Sequence, residues 1–231
     1  MKTSLRRIAL GAWVFAASFS SLPALAGPMG FAESYMSMGD FSTNWRESFV
    51  NYALTSKDAI GTEAVYMRSD NKLTTLHATG LTYTRLAKRW NMPEAQANVW
   101  LLGGLSTATG TEFAGSKTLI SPGVQVDYET TRVYVAVQAR AYRTTGGITG
   151  SPTGSTANIN HDYISGRAGF SFFNVDYDEV QPWFIVEARR MKGLSDKTEI
   201  TPMLRLIHNR YFVEAGVSTE KQARLNFMFI F

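Results

Sequence analysis

The sequence predicts an all-β fold: a transmembrane antiparallel up-and-down β-barrel of twelve strands, with ten or eight as the alternative counts. Three observations lead there. The chain opens on an export signal. It then runs as short alternating segments separated by turn residues. Its last segment, Leu225, Phe227, Phe229 and Phe231, alternates on one face and ends on an aromatic ring. Period-two alternation is strand geometry, because successive side chains point to opposite faces. An exposed edge of that kind is a liability in a soluble protein.

Residues 1–26 read as a secretory signal peptide. Lys2, Arg6 and Arg7 form a basic start, a short apolar stretch follows over 8–19, and Ala24-Leu25-Ala26 is a small-residue cleavage motif. The apolar stretch is too short for the ~20 residues of a spanning helix. The mature chain is then 27–231, a single barrel domain with no linker, repeat or plug-sized extra domain. Of 23 Lys+Arg and 19 Asp+Glu, the leader removes three basic residues, leaving 20 against 19 and a net charge of +1. A nearly neutral chain gives no argument for nucleic-acid binding. With no Cys, disulfides and thiolate chemistry are excluded.

Later apolar runs are only a few residues long, yet aromatic residues make up 13% of the chain. That leaves a secreted β-sandwich or a closed barrel, and the strand count favours the barrel. Candidate strands cover 30–38, 45–54, 59–68, 74–87, 96–105, 118–128, 132–142, 159–172, 182–191, 198–207, 211–218 and 222–231. Turn residues separate them, among them Gly39-Asp40, Ser56-Lys57-Asp58, Asp70-Asn71 and Glu129-Thr130-Thr131. The longest loop, 143–158, is rich in Gly, Ser, Thr and Pro. Most strands approach the 9–11 residues that cross a bilayer at a tilt.

The signal peptide, the alternation and the closing strand together resemble bacterial (Gram-negative) outer-membrane β-barrel proteins, as a class and over the whole mature chain. The resemblance implies outer-membrane residence after export through a cleaved signal peptide. It implies contact with outer-membrane lipids and lipopolysaccharide. It also implies periplasmic chaperones and a barrel assembly machinery that reads Phe227, Phe229 and Phe231 as its signal. In that class both termini face the periplasm, so strand number is even. Counting back from Phe231, the turns at 208–210, 129–131 and 56–58 are periplasmic. The loops 143–158, 107–117 and 192–197 are external. The connections 173–181 and 88–95 are longer than this scheme wants.

Alternation also sorts faces. Val133, Val135, Val137, Ala139 and Ala141 suit lipid, whereas Arg132, Tyr134, Gln138 and Arg140 suit the lumen. The same sorting turns Glu63, Arg85, Asp127, Arg140, Arg167, Glu187, Arg189, Arg205, Glu214 and Arg224 inward, with Asn98, Trp100 and Asn226. Trp45, Trp90, Trp183, Tyr128, Tyr177 and Phe231 fall near strand ends, where aromatic girdles sit. The lumen can be a charge network filling a narrow interior, or a water-filled pore biased toward anions by its arginines.

For chemistry the chain offers three histidines. His161 neighbours the loop carrying Ser151 and Ser155, His208 sits in a turn, and His77 lies within the fourth strand. No nucleophile motif accompanies them, and no catalytic residue is assigned. Met29, Met36 and Met38 are soft donors that more often fill gaps in packing, so no metal site and no cofactor is assigned. The leading function is a small passive channel for small polar or anionic solutes. The alternative is a closed barrel with a structural or adhesive role through its outer loops. A lipid-modifying enzyme stands third. The oligomeric state is not legible.

Overall fold

The structure is a computed structural model that describes residues 27–113, 115–147, 159–176 and 179–231. The signal peptide, Tyr177 and residues 148–158 lie outside them. Thirteen strands follow in order: β1 Tyr35–Phe41, β2 Trp45–Ala53, β3 Asp58–Arg68, β4 Thr75–Met92, β5 Ala95–Gly110, β6 Ser116–Ile120, β7 Gly123–Thr130, β8 Val133–Gly147, β9 Asn160–Ser171, β10 Gln181–Lys192, β11 Thr198–His208, β12 Tyr211–Val217 and β13 Ala223–Ile230. Every paired neighbour is antiparallel, and β1 pairs with β13, so the sheet closes on itself.

β6 and β7 both lie between β5 and β8. They are two halves of one barrel strand, interrupted at Ser121-Pro122. Proline has no N–H to donate to the ladder. The neighbours keep the gap sealed: Ser121 N donates to the Gly104 carbonyl at 3.0 Å, and Ala141 N to the Pro122 carbonyl at 2.9 Å. Thirteen strands, two of which share one position, make a barrel of twelve.

Inward and outward faces alternate as the sequence requires. On β10, Trp183, Ile185, Glu187, Arg189 and Met191 are buried, while Phe184, Val186 and Arg190 are exposed. On β8, Val133, Val135 and Val137 are exposed and Tyr134 and Ala136 are buried. Exposed Val124, Val126, Ile200, Leu204, Val213, Leu225 and Phe229 continue the outward apolar belt. A belt of that extent is the surface of a barrel that sits in lipid.

Four sequence expectations need correction. The connection at 88–95 is short, because β4 runs to Met92 and β5 starts at Ala95 around a Pro93-Glu94 turn. A register shift between Leu86 and Lys88 lets the long strand re-phase. The first strand begins at Tyr35 instead of residue 30, because Glu33 takes a positive φ of 64° and turns the chain. Trp45 and Trp183 are each 1% exposed and face inward rather than lying in a girdle. Trp45 shares its face with Glu47, and Trp183 with Ile185 and Glu187, so period two carries both indoles inside. Trp90, Tyr128 and Phe231 are exposed, as girdle residues are.

Arg85 is the fourth. It faces outward between inward Thr84 and Leu86. Its Nη1 donates to Asp58 Oδ1 at 2.6 Å, on the residue directly opposite in β3. A cross-strand carboxylate at the strand end gives the guanidinium a partner at the membrane interface, where a long cationic side chain reaches water.

Candidate functional site

The interior is layered along the barrel axis. At the end away from Tyr35 and Phe231, an apolar cluster spans the lumen. The Trp45 ring on β2 meets Tyr142 on β8 and Tyr163 on β9, with centroids 5.6 and 5.1 Å apart. Those strands lie on opposite walls. Phe113 and Leu194 enter the same cluster from the β5–β6 and β10–β11 connections. These side chains form a stopper across that mouth.

Beneath it lies a layer of charge. Arg140 on β8 reaches across the lumen to Glu47 on β2 at 2.8 Å and Glu63 on β3 at 2.5 Å. Ser121 accepts from Arg140 at 2.8 Å, and Ser106 donates to Glu63 at 3.1 Å. A second network follows the opposite wall. Arg167 pairs with Glu187 at 2.6 Å and with Glu214 at 3.4 Å. Arg205 also pairs with Glu214, which accepts from Asn226 at 2.7 Å. Arg224 joins Glu187 to Asp40, and Arg189 holds Glu199 at 2.6 Å. Burying a charge is costly unless it is paired and hydrogen-bonded, and these groups supply one another.

Asp127 solves the same problem with neutral donors. Asn98, Trp100 and Gln125 donate to it at 2.6, 2.7 and 3.1 Å. Together the networks place Glu63, Asp127, Arg140, Arg167, Glu187, Arg189, Arg205, Glu214 and Arg224 inside the barrel, and Arg85 outside it.

Sequence reasoning missed Asp40, Glu47 and Glu199. In the sequence Gly39-Asp40 reads as a turn, whereas Asp40 lies within β1. Glu47 alternates with Trp45 and Phe49, so its face reads as apolar. Glu199 shares parity with Arg205, a signal that was there to use. With them included, the arginine excess disappears. Among the described residues the inward cations are Arg89, Lys117, Arg140, Arg167, Arg189, Arg205 and Arg224. The inward carboxylates are Asp40, Glu47, Glu63, Asp127, Glu129, Glu187, Glu199 and Glu214. Seven against eight is a balanced interior with no bias toward anions.

The terminal end is narrowed from within. Residues 27–34 form a strap whose buried part, residues 27–30, folds back into the barrel. Asn51 Nδ2 donates to the Pro28 carbonyl at 2.9 Å, Gly27 lies against the Trp100 ring, and Met29 packs with Ala53, Ala59, Leu86 and Trp100. A separate inward cluster is formed by Met36, Tyr134, Trp183, Ile185, Phe212 and Met228. Between stopper and strap sits a central cavity of about 120 Å³, lined by both charge networks and by Pro28. A wider recess of about 520 Å³ opens at the terminal end, among Glu94, Glu129, Asp176, Gln181 and Trp183.

His161 is buried and lies 3.5 Å from Glu112 in the β5–β6 connection. The His77 ring meets Tyr66 at a tilt, and His208 contacts Asn209 and Tyr211. Among the described residues no serine is hydrogen-bonded to any of the three. Ser151 and Ser155 lie outside the described residues.

No family model matches the chain, and no curated protein matches it. Among solved structures it is similar to the KdgM porin, alone and in complex with disordered oligogalacturonate. Each is 12% identical, with a TM-score of 0.46, over 85% of this chain and 98% of theirs. It is also similar to OccK8 (OprE) of Pseudomonas aeruginosa, at 9% identity and a TM-score of 0.41, over 84% of this chain and 62% of that one.

Glu214 is fully buried and serves Arg167, Arg205 and Asn226 at once. Glu214→Ala strands the Arg205 guanidinium, while Arg167 keeps Glu187, and is expected to cost about 3–5 kcal/mol. Glu214→Gln, which keeps an acceptor, should cost less. Urea unfolding in lipid bilayers measures both, and equal stability of the three proteins would contradict the paired-network reading.

Proposed function

We propose that this barrel is a narrow passive channel of the outer membrane for small polar solutes, exported through a signal peptide that is cleaved after Ala26. One observation carries the reading: a cavity at mid-barrel, lined by charges of both signs among apolar side chains, with no folded plug among the described residues. Water and small solutes fit such a space. The Trp45–Tyr142–Tyr163 stopper and the 27–34 strap set the bore, and the Arg140–Glu47–Glu63 bridge crosses the path. Selectivity then follows size and polarity, because the lining is balanced in charge.

The expected signature is a small single-channel conductance from protein purified from outer membranes into planar bilayers. Trp45→Ala opens the stopper and should raise that conductance severalfold. Deleting residues 28–33 should raise it from the other end. Silence from the native protein and from both variants would sink the channel and leave a closed barrel that acts through its outer loops.

We further propose that Phe227, Phe229 and Phe231 act as the signal to the assembly machinery. Phe231 stacks on Phe229 and on Tyr35, and its backbone closes the sheet. One exposed ring contributes little to a fully paired sheet, so recognition is the sensitive step. Phe231→Ala should lower the heat-modifiable, outer-membrane fraction well below that of Met228→Ala. Matching, near-normal yields would remove the signal role.

A further inference from the structure

We infer that the β3–β4 and β10–β11 connections form a latch over the outer mouth, with Asp70 as its catch, and that the channel conducts when this catch is released. The inference rests on the channel reading and names its regulation.

The two connections come from opposite walls. Between β3 and β10, one way round the barrel passes β2, β1, β13, β12 and β11, and the other passes β4, β5, the β6–β7 strand, β8 and β9. The two strands are therefore diametrically opposed, yet the connections that follow them meet over the mouth. Asp70 N donates to the Leu194 carbonyl at 3.1 Å, and Ser195 Oγ donates to Asp70 Oδ2 at 2.6 Å. The other carboxylate oxygen, Oδ1, accepts from Asn44 Nδ2 at 2.9 Å. Asn44 lies between β1 and β2, so one carboxylate joins three external connections.

The latch acts on the stopper. Leu194 carries the carbonyl that Asp70 N holds, and its side chain is buried in the cluster with Trp45, Phe113 and Tyr142. Gly193, just before it, takes a φ of 89°, where glycine is at ease and a side chain is not. A Cβ there would also strike the His161 ring. Glycine leaves this turn free to swing Leu194 out of the mouth once the catch is released. Asp70 is exposed, so water competes for its hydrogen bonds and their net contribution is small. A closure held in that way keeps a minor open state within reach.

The test is single-channel recording of the full mature protein in planar bilayers. Asp70→Ala removes both side-chain bonds and should raise the open fraction about tenfold or more, the shift a lost hydrogen bond to a charged group produces. Ser195→Ala removes one bond and should raise it less. The chain has no cysteine, so Asp70→Cys with Ser195→Cys makes the catch switchable. Oxidised, that pair should cross-link and hold conductance below the native level. Dithiothreitol should then raise it above the native level, because the reduced pair lacks the catch. Heat-modifiable migration of each variant separates release of the latch from loss of the fold. If the folded pair does not cross-link, the two connections are not joined and the latch is overturned. If Asp70→Ala gates like the native protein, or if oxidised and reduced pairs conduct alike while Trp45→Ala conducts, the latch is removed and the channel stays. If none of these proteins conducts, Trp45→Ala included, the channel reading and its latch fall together.

Discussion

Everything in this molecule depends on the pairing of β1 with β13. Tyr35 and Phe231 exchange both backbone hydrogen bonds, at 2.8 and 2.9 Å, and the ladder continues from Met36 opposite Ile230 to Phe41 opposite Leu225. In hydrocarbon an unpaired N–H or C=O costs several kcal/mol, so a spanning sheet must have no edge. Closure also creates two surfaces, an outside and an inside. Alternation then assigns each side chain to one or the other, and both the apolar belt and the charged interior follow.

The interior must satisfy a constraint that a wide pore avoids. Twelve strands enclose a space that large side chains can nearly fill. Here Trp45, Trp100, Trp183 and Tyr142 do much of that filling, and all are buried. The remaining volume holds arginines and carboxylates that pair across and along the walls. Arg140 reaches over the lumen, tying β8 to β2 and β3, and Arg189 on β10 reaches Asp40 on β1 and Ser42 beside it. Pairing across the lumen, the stopper and the strap leave a cavity where a wider barrel would leave a channel of water.

The strand pattern was legible because most strands alternate without a break. In β10 and β11 the two faces differ at nearly every step, from Trp183 to Met191 and from Glu199 to Ile207. β4 was harder. Leu76 and Leu86 sit on one face and Leu81 and Tyr83 on the other, so neither side is plainly apolar and Arg85 was read inward. Inward tryptophans were misread for a related reason. Near a strand end, an aromatic ring suits a girdle as well as a stopper, and only the register decides. The strap over 27–34 carries no periodic signal. It is held by one asparagine, a carbonyl and the face of Trp100, contacts that pattern cannot reveal. The direction of Asp40 and Glu47 is concealed by turn-like and apolar neighbours, whereas Glu199 lies on the legible inward row of β11 with Arg205.

The closure itself can be measured directly, because the chain has no cysteine. Tyr35 and Phe231 form a hydrogen-bonded pair, so by alternation Met38 and Met228 form a pair of the closer, non-hydrogen-bonded kind. Its Cα separation of about 4.5 Å lies within the range a disulfide spans. Met38→Cys with Met228→Cys, oxidised in the folded membrane-embedded protein, should cross-link almost completely. Met36→Cys with Met228→Cys, offset along the strand, should not. Efficient cross-linking of the offset pair, or none in the aligned pair, would contradict a sheet closed by β1 on β13 in this register.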